Sequence, residues 1–108
     1  NTVAVEVWGN SMRPIVQEGW LVYYEDRRSG LTPAMFGQPC VIGLASGHTV
    51  LKTPYQGSRK GVYHLESANP AIETMRDQQV KWAALVTAIV PRVPAQKLMK
   101  RARGRVST

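Results

Sequence analysis

Glycine and proline break this chain at short intervals through its first seventy residues, at Gly9, Pro14, Gly19, Gly30, Pro33, Gly37, Pro39, Gly43, Gly47, Pro54, Gly57, Gly61 and Pro70. Proline removes an amide donor and glycine carries a backbone-entropy cost, so long helices have nowhere to form. The pieces between the breaks are β-branched, aromatic and often alternating, which is strand composition. Val3, Val5 and Val7 alternate, and Trp20 to Tyr24 is aromatic and β-branched. Cys40 to Ala45 and His48 to Thr53 flank Ser46-Gly47, a two-residue hairpin signal, and Pro54 is expected to end the second of these strands. Val62 to Glu66 reads as a fifth strand, stopped by Ser67-Ala68-Asn69-Pro70. Leu31 to Gly37 and Ala71 to Met75 have room for one helical turn each.

The longest strand is expected over Gln79 to Val90. Val80, Trp82, Ala84, Val86, Ala88 and Val90 share one face, and Ala83, Leu85 and Ile89 the other. Two apolar faces call for cover on both sides, and a second copy of the chain is an economical cover for one of them. Many short strands, tight turns and almost no helix predict an all-β domain, a folded barrel or sandwich of curled sheets.

At 108 residues the chain makes one domain. It opens on Asn1 with strand pattern already at residue 3, so it reads as a fragment. No apolar run approaches the ~18 residues of a membrane helix, and no signal peptide is visible. The single cysteine, Cys40, lies in an apolar strand and suits a reducing cytoplasm. The formal charge of +7 suggests nucleic acid, yet Lys97, Lys100, Arg101, Arg103 and Arg105 crowd the C-terminal end. Without them the body carries about +2, ordinary for its size. The domain is therefore expected over residues 1–92, with a basic and flexible tail over 93–108.

One stretch carries chemistry: Val7-Trp8-Gly9-Asn10-Ser11-Met12-Arg13-Pro14. A strand ends at Gly9, and Ser11 follows on a tight turn, with hydroxyl and nearby N–H groups directed together. An acyl-transfer nucleophile needs that convergence. A loop serine bonded within its own turn fits the octapeptide as well.

A serine that attacks an amide needs a base. His48 follows the Ser46-Gly47 turn and is expected in solvent, and His64, on the strand Val62 to Glu66, has no obvious acidic orienter. Nothing supports a Ser-His-Asp triad. Lys52 is the other helper, the one charge in Thr49-Val50-Leu51-Lys52-Thr53. A solvated edge lysine is the common outcome in a strand. A buried one would lose affinity for its proton and become a base near neutral pH.

Gly9-Asn10-Ser11-Met12-Arg13-Pro14 resembles the G-x-S-M-x-P signature of the LexA-like serine peptidases, which include LexA, lambda-type phage repressors and UmuD-like proteins. Thr49-Val50-Leu51-Lys52 is similar to their lysine strand, and Leu65-Glu66-Ser67-Ala68-Asn69-Pro70 to their L-x-S-x-N-P element. The resemblance covers roughly residues 3–92. It implies a LexA- and signal-peptidase-like folded barrel of curled antiparallel sheets. It also implies Ser11 as nucleophile, Lys52 as general base, and an oxyanion hole from the backbone N–H groups of Asn10 and Ser11, with no metal and no cofactor. The implied partners are a second copy through the C-terminal strand, the chain's own upstream linker as substrate, and an inducing co-protease such as a RecA filament. DNA would be bound only through an N-terminal helix-turn-helix domain absent from this sequence, and no membrane is involved.

The chain departs from that pattern where members often carry Gly-Asp and it has Gly19-Trp20 and Gly37-Gln38. The customary Ala-Gly or Cys-Gly scissile pair would lie before residue 1. Three readings stand: a self-cleaving half of a LexA- or phage-type repressor, an idle dimerisation and sensing module of a regulator, and a processing protease acting on other chains.

Overall fold

The computed structural model describes residues 2–25, 29–91 and 104–107, the last four as backbone. The tail expected over 93–108 therefore lies largely outside the described residues, as do residues 26–28. Among the described residues there are eight strands: β1 (Thr2–Trp8), β2 (Leu21–Glu25), β3 (Cys40–Leu44), β4 (Thr49–Gln56), β5 (Tyr63–Glu66), β6 (Met75–Gln78), β7 (Val80–Val90) and β8 (Gly104–Ser107). The turn expected within 31–37 is a 3-10 turn at Pro33–Met35. No α-helix occurs among the described residues. The all-β expectation holds, as a curled sheet of mainly antiparallel strands.

The strands run β3-β7-β2-β1-β8-β4-β5-β6, and β3 also pairs with β4. The chain of pairings thus returns on itself through β1, β2, β7, β3, β4 and β8, and β5 and β6 extend from the far half of β4. Two apolar clusters fill it. Val3, Val5, Val7, Met12, Val16, Val22, Tyr24, Val41, Leu51 and Ala84 form one. Cys40, Ile42, Leu44, Val50, Leu65 and Ala83 form the other. Alternation along β3 and β4 sends successive residues to opposite clusters. All five residues of β3 are consequently buried.

Three elements differ from the sequence expectation. β4 runs on through Pro54 to Gln56 instead of stopping at the proline. The Pro54 carbonyl accepts from the Gly37 amide at 3.1 Å, so the proline nitrogen also faces away from β5 and the missing donor costs the β4–β5 ladder nothing. Residues 71–75 hold no helical turn. Asn69 and Ile72 close a turn there, and β6 begins at Met75 against β5. The strand at Gly104–Ser107 carries no sequence signal, lying within what reads as basic tail, yet it pairs parallel with β1 and β4.

β7 is the longest strand, as its pattern predicts, and is paired on one edge with β2 and on the other with β3. Its cover is uneven: Ala83 and Ala84 are buried, whereas Thr87, Ala88 and Ile89 are exposed.

Candidate active site

β1 delivers the serine turn. Gly9 and Gly19 both have positive φ, at 91° and 89°, conformations that side-chain-bearing residues resist. Between them the chain leaves β1 and returns to β2, closed by hydrogen bonds from the Gly19 amide to the Val7 carbonyl at 2.9 Å and from the Val7 amide to the Trp20 carbonyl at 2.8 Å. Met12 and Val16 are driven into the core, and the Val16 amide bonds the Met12 carbonyl at 3.0 Å. The same insertion takes Ser11 inside: its exposure is 0 %, where a displayed serine was expected.

β4 delivers the lysine. Residues 49–52 pair with β3 and residues 53–56 with β5, so Lys52 is the last residue before the strand changes partner. It lies opposite Cys40 in register. Only 5 % of Lys52 is exposed, and burial lowers its affinity for a proton from the ordinary lysine range. Nζ donates to Ser67 Oγ at 2.8 Å. Among the described residues no carboxylate forms an ion pair with it. A desolvated amine whose polar partner is a neutral hydroxyl has little holding its charge in place.

The segment after β5 joins these two features. Ser67 accepts from Lys52, Ala68 packs against the larger core cluster, and Asn69 reaches the serine turn. The Asn69 amide donates to the Ser11 carbonyl at 2.7 Å, and its side-chain Nδ2 to the Asn10 carbonyl at 3.0 Å. The Asn10 carbonyl also accepts from the Arg13 amide at 3.2 Å. A peptide unit is planar, so holding the Asn10 carbonyl on one side fixes the Ser11 N–H on the other. One tripeptide thus clamps both the serine turn and the amine. Neither Ser67 nor Asn69 was singled out for a role from sequence, although both lie in the L-x-S-x-N-P element.

The histidines are elsewhere. His48 is exposed, as expected, and lies 3.2 Å from Ser46 Oγ through Nδ1. His64 does have an acidic neighbour, Asp77, which the sequence reading missed because it comes from β6, an element not expected there. The Asp77 amide donates to His64 Nδ1 at 3.1 Å, and the carboxylate is 3.7 Å from the same nitrogen. Asp77 in turn accepts from the Ser58 amide at 2.8 Å and hydroxyl at 2.7 Å, which hold its carboxyl below the usual range. In a triad the histidine stands between serine and carboxylate and donates from Nδ1. Here the carboxylate stands between and Nδ1 accepts, so this cluster braces the β5–β6 pair.

Among the described residues, no group of three His, Cys, Asp or Glu side chains is placed to hold a metal ion. No helix among them is long and apolar enough to cross a membrane. A cavity of about 370 Å³ opens between Glu25, Ser29, Met35 and the β7 residues Ala83 to Leu85, and neither Ser11 nor Lys52 lines it.

No curated protein matches the chain. The family model described as Peptidase S24-like matches residues 1–87, a span that includes the serine turn, the lysine strand, the Ser67–Asn69 clamp and most of β7. With four-fifths of its length accounted for in this way, the chain belongs to the Peptidase S24-like family, the serine peptidases represented by LexA, UmuD and the C-terminal domains of phage repressors.

Proposed function

We propose that Ser11 and Lys52 form a nucleophile–base dyad that cuts a peptide bond in the chain's own upstream linker. The observation that carries this reading is a lysine amine, almost wholly buried and bonded to a neutral hydroxyl, held by the same tripeptide that clamps the serine turn. In the reaction, Ser11 Oγ attacks the scissile carbonyl carbon while its proton passes to the neutral Lys52 amine. The backbone N–H groups of Asn10 and Ser11 receive the developing oxyanion. Lys52 then returns the proton to the departing amine, which leaves an ester on Ser11. Water, deprotonated by the same lysine, hydrolyses that ester and restores the hydroxyl.

In the parent protein the domain serves a transcriptional regulator: it pairs two copies, and the cut separates them from an N-terminal DNA-binding domain. Two linked half-site binders gain effective concentration on DNA, and release ends that gain. An inducing co-protease such as a RecA filament would set the timing, and the site of action is the cytoplasm.

The test is incubation of the protein with its natural upstream segment across a pH series. Cleavage accelerates as pH rises, because the neutral amine is the active form, and Ser11→Ala and Lys52→Ala each reduce it by at least about a thousandfold. A protein that dimerises but stays intact at every pH supports instead the idle dimerisation and sensing module.

A further inference from the structure

We infer that Gly104–Ser107 occupies, in cis, the track that a peptide substrate must follow to reach Ser11, so that the site stays closed until this strand withdraws. The inference rests on the Ser11–Lys52 peptidase reading. Two strands lead into the site: β1 runs from Thr2 to Trp8 and into the serine turn, and β4 runs from Thr49 to Lys52. A peptide that brings one carbonyl to both groups has to enter between them. The facing main-chain N–H and C=O groups of two such strands form a slot that an extended segment can satisfy from both sides.

β8 lies in that slot. Val5 pairs with Gly104, Glu6 with Arg105, Val7 with Val106 and Trp8 with Ser107, while Ser107 also meets Val50 of β4. These are the two parallel pairings among the described residues, and the other strand pairs are antiparallel. β8 therefore bridges the open edges of an otherwise antiparallel sheet, and its direction carries meaning. Running alongside both neighbours, it heads toward the serine turn and toward Lys52. At about 3.3 Å per residue, a chain in this register comes level with Lys52 some two residues beyond Ser107. A substrate in the same track lays its acyl-side residues along β1 and β4 and carries its scissile carbonyl to the dyad. With β8 in place, Ser11 is fully buried and Lys52 nearly so. Recognition is through main chain, so the ligand is any extended peptide segment without proline at the ladder positions. The chain's own linker, tethered at the other end, competes through its effective concentration.

The test compares the full chain with the double variant Arg105→Pro/Val106→Pro, which deletes two ladder amides. Two readouts are used: amide hydrogen exchange over 5–8 and 104–107, and acylation of Ser11 by acetyl-trialanine p-nitrophenyl ester, followed by mass spectrometry. In that step the Ser11 oxygen takes the acyl group, Lys52 takes the serine proton and p-nitrophenolate leaves. The expected result is protection of 104–107 in the parent, its loss in the variant, and at least tenfold faster acylation of the variant. Adding the peptide Arg-Ala-Arg-Gly-Arg-Val-Ser-Thr at millimolar concentration slows the variant again. Exchange at 104–107 in the parent as fast as in an unfolded chain overturns the inference whatever the acylation shows. Equal acylation of parent and variant, or a variant indifferent to the added peptide, overturns the competition. If protection behaves as expected but neither protein is acylated, the peptidase reading fails and takes the competition with it, while the strand's position stands.

Discussion

At Lys52 an amine is held away from water, and that has a measurable consequence for stability. Its proton affinity is lowered in the folded state from the ordinary value of 10.5 by loss of water around the amine. In the pH range between the folded and unfolded values, the unfolded chain binds the extra proton, so stability rises with pH there; below that range the full burial cost is felt. Lys52→Met is expected to raise stability near neutral pH by about 1 kcal/mol or more and to flatten the alkaline rise, both read from urea unfolding at several pH values. Unfolding midpoints that keep their alkaline slope in the variant would assign that slope to another group. Ser67 tests the same amine from its other side. An acceptor beside an ammonium favours the charged form, so Ser67→Ala should move the acid limb of the cleavage–pH profile to lower pH. Loss of orientation should also cut the plateau rate about tenfold, and a variant with an unmoved profile would reduce Ser67 to a packing contact. Cys40, across the ladder from Lys52, behaves in the opposite sense. Burial pushes its thiol up to about 12, and the thiol donates to the Gln38 carbonyl at 3.3 Å, so the native chain should resist alkylation at pH 8 that the unfolded chain undergoes readily.

The elements show why the site holds its shape. β3 and β7 meet where Gly43 lies opposite Trp82, and a Cβ at Gly43 would overlap the Nε1 edge of the indole. Trp82 stacks on Tyr24 of β2, with centroids 5.9 Å apart, so the ring has little freedom to yield. Gly43→Ala is therefore expected to destabilise the fold by about 1–3 kcal/mol, seen as a lowered Tm and a shifted tryptophan emission. An unchanged Tm would mean that the indole is looser than its packing indicates. β4 makes the complementary point. Alternation sends Leu51 into the core, and Lys52, on the other face, is the last residue before the strand changes partner. The proline at 54 is tolerated because its nitrogen faces the 3-10 turn and not β5.

For the whole molecule, the pairing order closes the sheet only through β8, so on the inference above the strand that blocks the site is also part of the architecture. The outer half of β7 is uncovered, with Ile89 among the exposed large apolar residues. β7 is paired along both edges, so a second copy would cover its face and not extend the sheet. On the homodimer reading, Ile89→Asp is expected to weaken self-association at least tenfold in sedimentation equilibrium without altering the fold. A chain that is monomeric at all concentrations, or a variant that dimerises normally, would place the interface elsewhere or remove it.

The all-β class, six of the eight strands described and the hairpin at Ser46-Gly47 were legible from residues alone, and Ser11 and Lys52 stood out as candidates only with the family resemblance beside them. Alternation, β-branched runs and turn-forming glycines act over a few positions, and local sterics settle them. Pro54 misled because its tolerance depends on which way one nitrogen faces, and β6 was missed because Met75-Arg76-Asp77-Gln78 holds no β-branched or aromatic residue and Asp77 takes a positive φ. The burial of Ser11 and Lys52 and the clamp from Ser67 and Asn69 were decided by tertiary structure. So was the seat of β8 between β1 and β4. Each depends on distant segments meeting in space, where desolvation and shared hydrogen bonds, not local preference, set what a side chain can do.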